Sequence, residues 1–260
     1  MSNLTKRIIA GIIGIPVIIG AAYLGGIYFL IFSIIVSSLA LWEFYKMFER
    51  KGFAPLKYFL ILVSFILLIF TYSSENYLPA LFILLTAGIL TLEIYRIKGS
   101  PINPMISLFG IFYITFPFVM LNMLLEILNF NIVIYIFILI WTCDTAAYFG
   151  GRKFGKHQLS SISPKKTWEG SAAGFIFTII ISLLIHFIFP GKLNRADAIS
   201  IGVIVGIFSQ VGDLFESLIK RYCDVKDSSK IIPGHGGMLD RFDSLIFVTP
   251  VIFVYFVYIK

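Results

Sequence analysis

From Ile8 to Trp42 the chain carries no charged side chain. Such a stretch is too apolar to leave in water. At about 1.5 Å of rise per residue it is also too long for one helix across a hydrocarbon core of about 30 Å. Gly25 and Gly26 lie near its middle and offer a turn. The stretch is therefore read as two membrane spans, near 8–24 and 27–43. The same criterion finds spans near 58–74, 77–95, 105–125, 128–149, 170–190, 198–219 and 243–259. The expected fold is all-α, a polytopic integral membrane protein with about nine transmembrane helices.

Composition agrees with this reading. Hydrophobic residues make up 58% of the chain and charged residues 13%, where a soluble domain carries about 25% charged. Mean hydropathy is +0.94. A soluble globular domain and a disordered chain are both excluded. Lys6, Arg7 and the apolar run ending at Gly20, Ala21 and Ala22 resemble a secretory signal, but the segment is expected to remain as the first span.

A net charge of +7 would suit a nucleic-acid partner on a soluble protein, but here the location of the basic residues decides. Every Lys and Arg except Lys192, Arg195 and Lys260 falls on one side of the nine-span arrangement. Basic residues accumulate in cytoplasmic connections. The N-terminus is thus expected in the cytoplasm, the C-terminus on the opposite side, and no nucleic-acid partner is implied. The chain is expected to be a multi-pass protein of the cell membrane, with its chemistry facing the cytoplasm.

Polar residues divide the chain by role: 1–100 reads as a transmembrane scaffold, and 101–260 as a catalytic half with cytoplasmic loops at 150–170 and 220–242. Asp144 directly follows the apolar run FILIWTC, and an ionisable group at such a depth is a functional candidate. At helical spacing Ser209, Asp213, Glu216 and Lys220 share one face. Asp240 and Asp243 repeat the i, i+3 arrangement at the start of the last span. Such carboxylates either bind cations or pair with neighbours, here Lys220 or Arg221 for Asp213 and Glu216.

The two loops add basic residues and glycine. DVKDSSKIIPGHGG, from Asp224 to Gly237, and GGRKFGKHQLSSISPKKTWEG, from 150 to 170, suit phosphate, because glycine lets backbone N–H groups approach an anion. Hard oxygen ligands beside a basic, glycine-rich loop suit Mg²⁺ and a nucleotide polyphosphate. The glycine spacing fits neither GxxxxGK[ST] nor GxGxxG. His235 is a base, a phosphate donor or a loop-structural residue, and His186 is structural. Gly202 and Gly206 in GVIVG read as a helix-packing pair. Cys143 and Cys223 form neither a disulfide framework nor a zinc motif. Cys223, in the basic loop, is expected to be the more accessible of the two.

Taken together, SLIKRYCDVKDSSKIIPGHGGMLDRFDS from Ser217 to Ser244, with DTAAYFGGRKFG and SPKKTWEG upstream, resembles the phosphatidate cytidylyltransferases, also called CDP-diacylglycerol synthases. The matching positions are Ser217, Lys220, Arg221, Lys226, Asp227, Pro233 to Gly237, Asp240, Arg241 and Asp243. The resemblance implies that CTP and phosphatidate give CDP-diacylglycerol and pyrophosphate, with Mg²⁺ required and a second, monovalent cation such as K⁺ compatible. It implies a homodimer, with membrane lipids around it. Asp213 and Asp240 would hold the metal, with Asp144 and Asp243 beside them. Lys165, Lys166, Lys220, Arg221 and Arg241 would neutralise phosphates. Lys226, Asp227, Gly234, His235, Gly236 and Gly237 would orient the nucleotide.

Two rival readings stand beside it. One is a related enzyme that uses another lipid phosphate or nucleotide. The other is a cation-coupled transporter, which predicts polar residues continuing to the far leaflet, whereas beyond Ser209 the eighth span reads ISIGVIVGIF.

Overall fold

A computed structural model describes residues 3–73, 78–96, 99–188, 193–232, 234 and 236–260. Among the described residues there is no strand, and the helices fall where the charge-free runs lie. They are α1 (Asn3–Leu24), α2 (Gly26–Arg50), α3 (Lys57–Ser73) and α4 (Leu78–Ile94), then α5 (Ile102–Leu128) and α6 (Phe130–Phe154). α7 (Trp168–Ile188), α8 (Arg195–Tyr222) and α9 (Leu239–Ile259) complete the chain. The expected break after the first span occurs at Gly25, whose φ of 61° is left-handed, a conformation that disfavours other L-residues. α5 contains a π turn at Ile111–Thr115 just ahead of Pro117, where the missing proline N–H interrupts the regular ladder.

Six of these helices, α2 and α5 to α9, are long and apolar enough to cross a membrane. The apolar helical stretches Gly11–Leu24, Lys57–Thr71 and Ile83–Ile94 are shorter. Length and apolarity therefore mark six candidate spans among the described residues, where nine were expected. Several helices also run past their expected ends: α2 continues from 43 to Arg50, α6 from 149 to Phe154 and α8 from 219 to Tyr222. These extensions carry Lys46 and Arg50, Arg152 and Lys153, and Lys220 and Arg221.

Two compact units emerge, Met1–Phe130 with Tyr222–Phe242 and Asn131–Arg221 with Asp243–Lys260. This boundary differs from the division by role at residue 100, because the 222–242 loop is packed with α1 to α5. In the first unit α2 is central. Phe29, Leu41, Phe44 and Tyr45 are wholly buried, and the Tyr45 hydroxyl donates to the Ser107 carbonyl at 2.7 Å. Thr115 donates to Ser64 at 2.9 Å, and Asn122 to Ser33 at 2.8 Å. These cross-helix bonds satisfy polar groups that lipid would leave unpaired.

The second unit is assembled on small residues. A Cβ on Gly174 would lie 3.0 Å from the Cys143 carbonyl oxygen, and one on Gly202 would lie 3.0 Å from Cα of Ile179. Gly206 meets Phe175 in the same way, so GVIVG is a packing pair, joining α8 to α7 within the chain. At the other end of α8, buried Asp197 accepts from Tyr255 at 2.8 Å and is ion-paired with Lys260.

Candidate active site

In the second unit three carboxylates come from three helices: Asp144 on α6, Asp213 on α8 and Asp243 on α9. Asp243 lies within electrostatic reach of Asp213, Asp144 and Lys220. Gly212 explains the approach of α8 to α9. A Cβ there would sit 2.6 Å from the Asp243 carbonyl oxygen, and Ser244 donates to the Ser209 carbonyl at 3.0 Å. The next residue after Gly212 is Asp213, which is thereby brought beside the start of α9.

The polar stripe on α8 separates into two pairings. Wholly buried Glu216 is ion-paired with Lys220 one turn further on. Asp213 instead pairs with Lys166, a residue that spacing along α8 did not suggest. Lys166 is placed by a short turn in which the Leu159 amide donates to the Lys166 carbonyl at 2.8 Å and the Lys166 amide to the Ser163 carbonyl at 3.0 Å. Glu169, at the start of α7, accepts from the amides of Lys156 at 3.0 Å and His157 at 3.2 Å, fixing the base of the turn. Lys165 and Arg221 are exposed.

In the first unit the 222–242 loop is organised by a residue the sequence reading passed over. Glu43 of α2 is wholly buried. Its Oε1 accepts from the Ser229 hydroxyl at 2.6 Å and the Met238 amide at 2.8 Å. Its Oε2 accepts from the Leu239 amide at 2.8 Å and lies 2.9 Å from the Ser228 hydroxyl. Asp240 Oδ2 accepts from the amides of Ser228 at 3.0 Å and Gly237 at 2.7 Å, and lies 2.8 Å from the same Ser228 hydroxyl. That hydroxyl has one proton and so bonds one carboxylate at a time. Gly237 has no room for a side chain, since a Cβ would run into Ser228 Oγ and the Glu43 carboxylate. The Ile232 amide donates to the Gly236 carbonyl at 2.9 Å, closing the turn. Pro233 and His235 lie outside the described residues. Lys226, Asp227 and Arg241 are exposed.

The signal for Glu43 was present, because it is the first charge after the run Ile8–Trp42, just as Asp144 follows FILIWTC. A second link joins the same helix to the loop: Lys51 donates to Asp224 at 2.5 Å, and that hydrogen bond holds the Lys51 ammonium above its usual range. Cys223 departs from expectation. It is 4% exposed, and burial pushes its thiol up, with Lys51 opposing and Asp224 assisting. Both cysteines are buried.

Among the described residues no group of three His, Cys, Asp or Glu side chains is set as a metal cage. The donor chemistry still fits Mg²⁺. That ion is commonly held by one or two carboxylates plus substrate phosphates rather than by an all-protein cage.

The cytidylyltransferase family model matches residues 5–259. The phosphatidate cytidylyltransferase of Synechocystis sp. is 33% identical, over 97% of this chain and 96% of that protein. Its counterpart in Haemophilus influenzae is 34% identical over 97% of this chain and 98% of that protein. The Bacillus subtilis protein of the same name is 32% identical over 98% of both.

Proposed function

The chain belongs to the cytidylyltransferase family, and from that premise we infer that it transfers the cytidylyl group of CTP to phosphatidate, giving CDP-diacylglycerol and pyrophosphate for phospholipid synthesis. The observation that carries the site is the gathering of Asp144, Asp213 and Asp243 from three helices, with Lys166 on Asp213. A phosphate oxygen of phosphatidate attacks the α-phosphorus of CTP in line. The P–O bond to the β-phosphate breaks and pyrophosphate leaves. Alignment and neutralisation of charge supply the rate acceleration, as in other phosphoryl transfers. No general base is required, because a phosphomonoester with a second pKa of about 6 is already anionic at neutral pH.

Lys165, Lys166, Lys220, Arg221 and Arg241 are the cations proposed to neutralise phosphate, and Lys226, Asp227, Gly234, His235, Gly236 and Gly237 are proposed to orient the nucleotide. Of the expected metal ligands, Asp213 and Asp144 stand together with Asp243, while Asp240 is engaged by Ser228 and Gly237. When bound, Mg²⁺ would neutralise charge on the phosphates; a monovalent cation such as K⁺ is a further proposal of the family resemblance.

The membrane arrangement proposed is nine spans, with α1, α3 and α4 as the shorter ones, the N-terminus and the site in the cytoplasm, and the C-terminus opposite. The positive-inside distribution supports it. A homodimer would have the apolar surface of α7 available, since only 17% of its apolar window is buried within the chain.

The test is to incubate the purified protein with labelled CTP, Mg²⁺ and phosphatidate, alongside other nucleotides and other lipid phosphates. A labelled liponucleotide and pyrophosphate are expected from the CTP and phosphatidate pair. Product only with a different lipid phosphate or nucleotide would overturn this substrate assignment.

A further inference from the structure

We propose that Glu43 is a positioning residue for cytidylyl transfer, a carboxylate supplied by α2 that holds the 228–239 loop in the form that receives the nucleotide. The inference rests on the reading that this loop binds CTP. A carboxylate wholly removed from solvent costs several kcal/mol unless hydrogen bonds compensate. Here the Glu43 carboxylate faces four donors, two at each oxygen, all from one loop.

Their arrangement makes the carboxylate a clasp. Ser228 and Ser229 lie on the incoming limb of the loop, Met238 and Leu239 on the outgoing one, and Gly234 and Gly236 fall between them in sequence. With both limbs tied to one rigid helix, the turn has its conformational choice made in advance, which lowers the ordering cost on ligand binding. The Leu239 amide is also the first of α9, and Met238 precedes it. Glu43 therefore caps a helix N-terminus from another helix, where a negative charge is favoured. Gly237 completes the fit, because the space its side chain would need is filled by the carboxylate and the Ser228 hydroxyl. Ser228 also ties the loop to Asp240, because its amide donates to Asp240 Oδ2 at 3.0 Å.

Glu43→Gln keeps the shape but turns an NH₂ toward donors that need an acceptor. Losing a hydrogen bond to a charged acceptor corresponds to roughly tenfold or more in an equilibrium constant. The KM for CTP should rise about tenfold with the KM for phosphatidate and the melting temperature nearly unchanged, and trypsin should cut faster after Lys226 and Lys230. An unchanged cutting rate overturns the clasp, as does a lower melting temperature with both KM values unchanged, which is the mark of a structural role. Faster cutting with an unchanged KM for CTP and an unchanged melting temperature keeps the clasp and removes the nucleotide from this loop. If Glu43→Gln does not fold, Ser229→Ala deletes one donor while keeping the charge, and the same shifts should appear at about two- to threefold. No shift in either cutting or KM with that variant also overturns the clasp.

Discussion

Lys166, in the turn before α7, is ion-paired with Asp213 on α8, whereas its neighbour Lys165 is exposed. Adjacent in sequence, the two lysines should differ in effect. Lys166→Met removes the cation beside the carboxylate trio and should lower kcat/KM by about 10- to 100-fold, the scale of a charge-assisted hydrogen bond. Lys165→Met leaves the Lys166–Asp213 pair in place and removes only an exposed phosphate-binding charge, so it should cost less, under about tenfold and mainly in KM. Steady-state kinetics on both variants checks this, and equal losses would remove the distinction.

Asp213 and Glu216 lie one turn apart on α8 but have different jobs. Glu216 is wholly buried against Lys220, and removing one partner of a buried pair typically costs about 3–5 kcal/mol. Glu216→Ala should therefore lower the melting temperature and the yield of folded protein. Asp213→Asn should melt near the wild type yet lose most of its turnover at any Mg²⁺ concentration. Thermal unfolding in detergent, set beside activity, separates the two. A well-folded, active Asp213→Asn would exclude it from metal binding.

The apolar helices were legible because burial in lipid leaves a local mark, an uninterrupted apolar run, and Gly25 marked its own turn. Asp144 was equally visible as the first charge after FILIWTC, and it is exposed. Partnership was not. The Lys166–Asp213 pair and the Glu43 bond to Ser228, 185 residues apart, depend on which helix faces which, and periodicity does not encode that. The spacing argument for α8 offered Lys220 to both acidic residues, and it went to Glu216. Cys223 looked exposed because its neighbours are charged, but its own side chain is buried.

Cys223 supplies a pH test. Burial raises its thiol, so the thiolate, which is the reactive form, is scarcer near pH 7.5 than in an ordinary cysteine and grows only as pH rises further. Maleimide should label native protein slowly at pH 7.5, faster with rising pH, and fully after denaturation. Rapid labelling of native Cys223 at neutral pH would contradict the burial. Lys230→Cys, at an exposed loop position, should react quickly in inside-out vesicles and not in intact cells if the loop is cytoplasmic.

Gly237→Ala tests the crowding at the clasp. Its Cβ would run into Ser228 Oγ and the Glu43 carboxylate, and overpacking of this kind costs about 1–3 kcal/mol. The variant should insert and fold its helices, shown by unchanged helical circular dichroism, but lose activity with a raised KM for CTP. Wild-type kinetics would mean that the loop relaxes freely around the added methyl.

Gly202 and Gly206 decide where the small-residue pair of α8 acts. Both face α7 of the same chain, with Ile179 Cα 3.0 Å and Phe175 Cδ2 2.9 Å from where their Cβ atoms would stand. In lipid there is little hydrophobic drive between helices, and close backbone approach through small residues supplies the packing instead. Gly206→Leu should therefore force α7 and α8 apart and lower the melting temperature, by an amount in the overpacking range of about 1–3 kcal/mol. The oligomeric state should not change. Light scattering in detergent, run beside thermal unfolding, separates the alternatives: a loss of mass with the melting temperature intact would place this glycine pair between copies rather than within one.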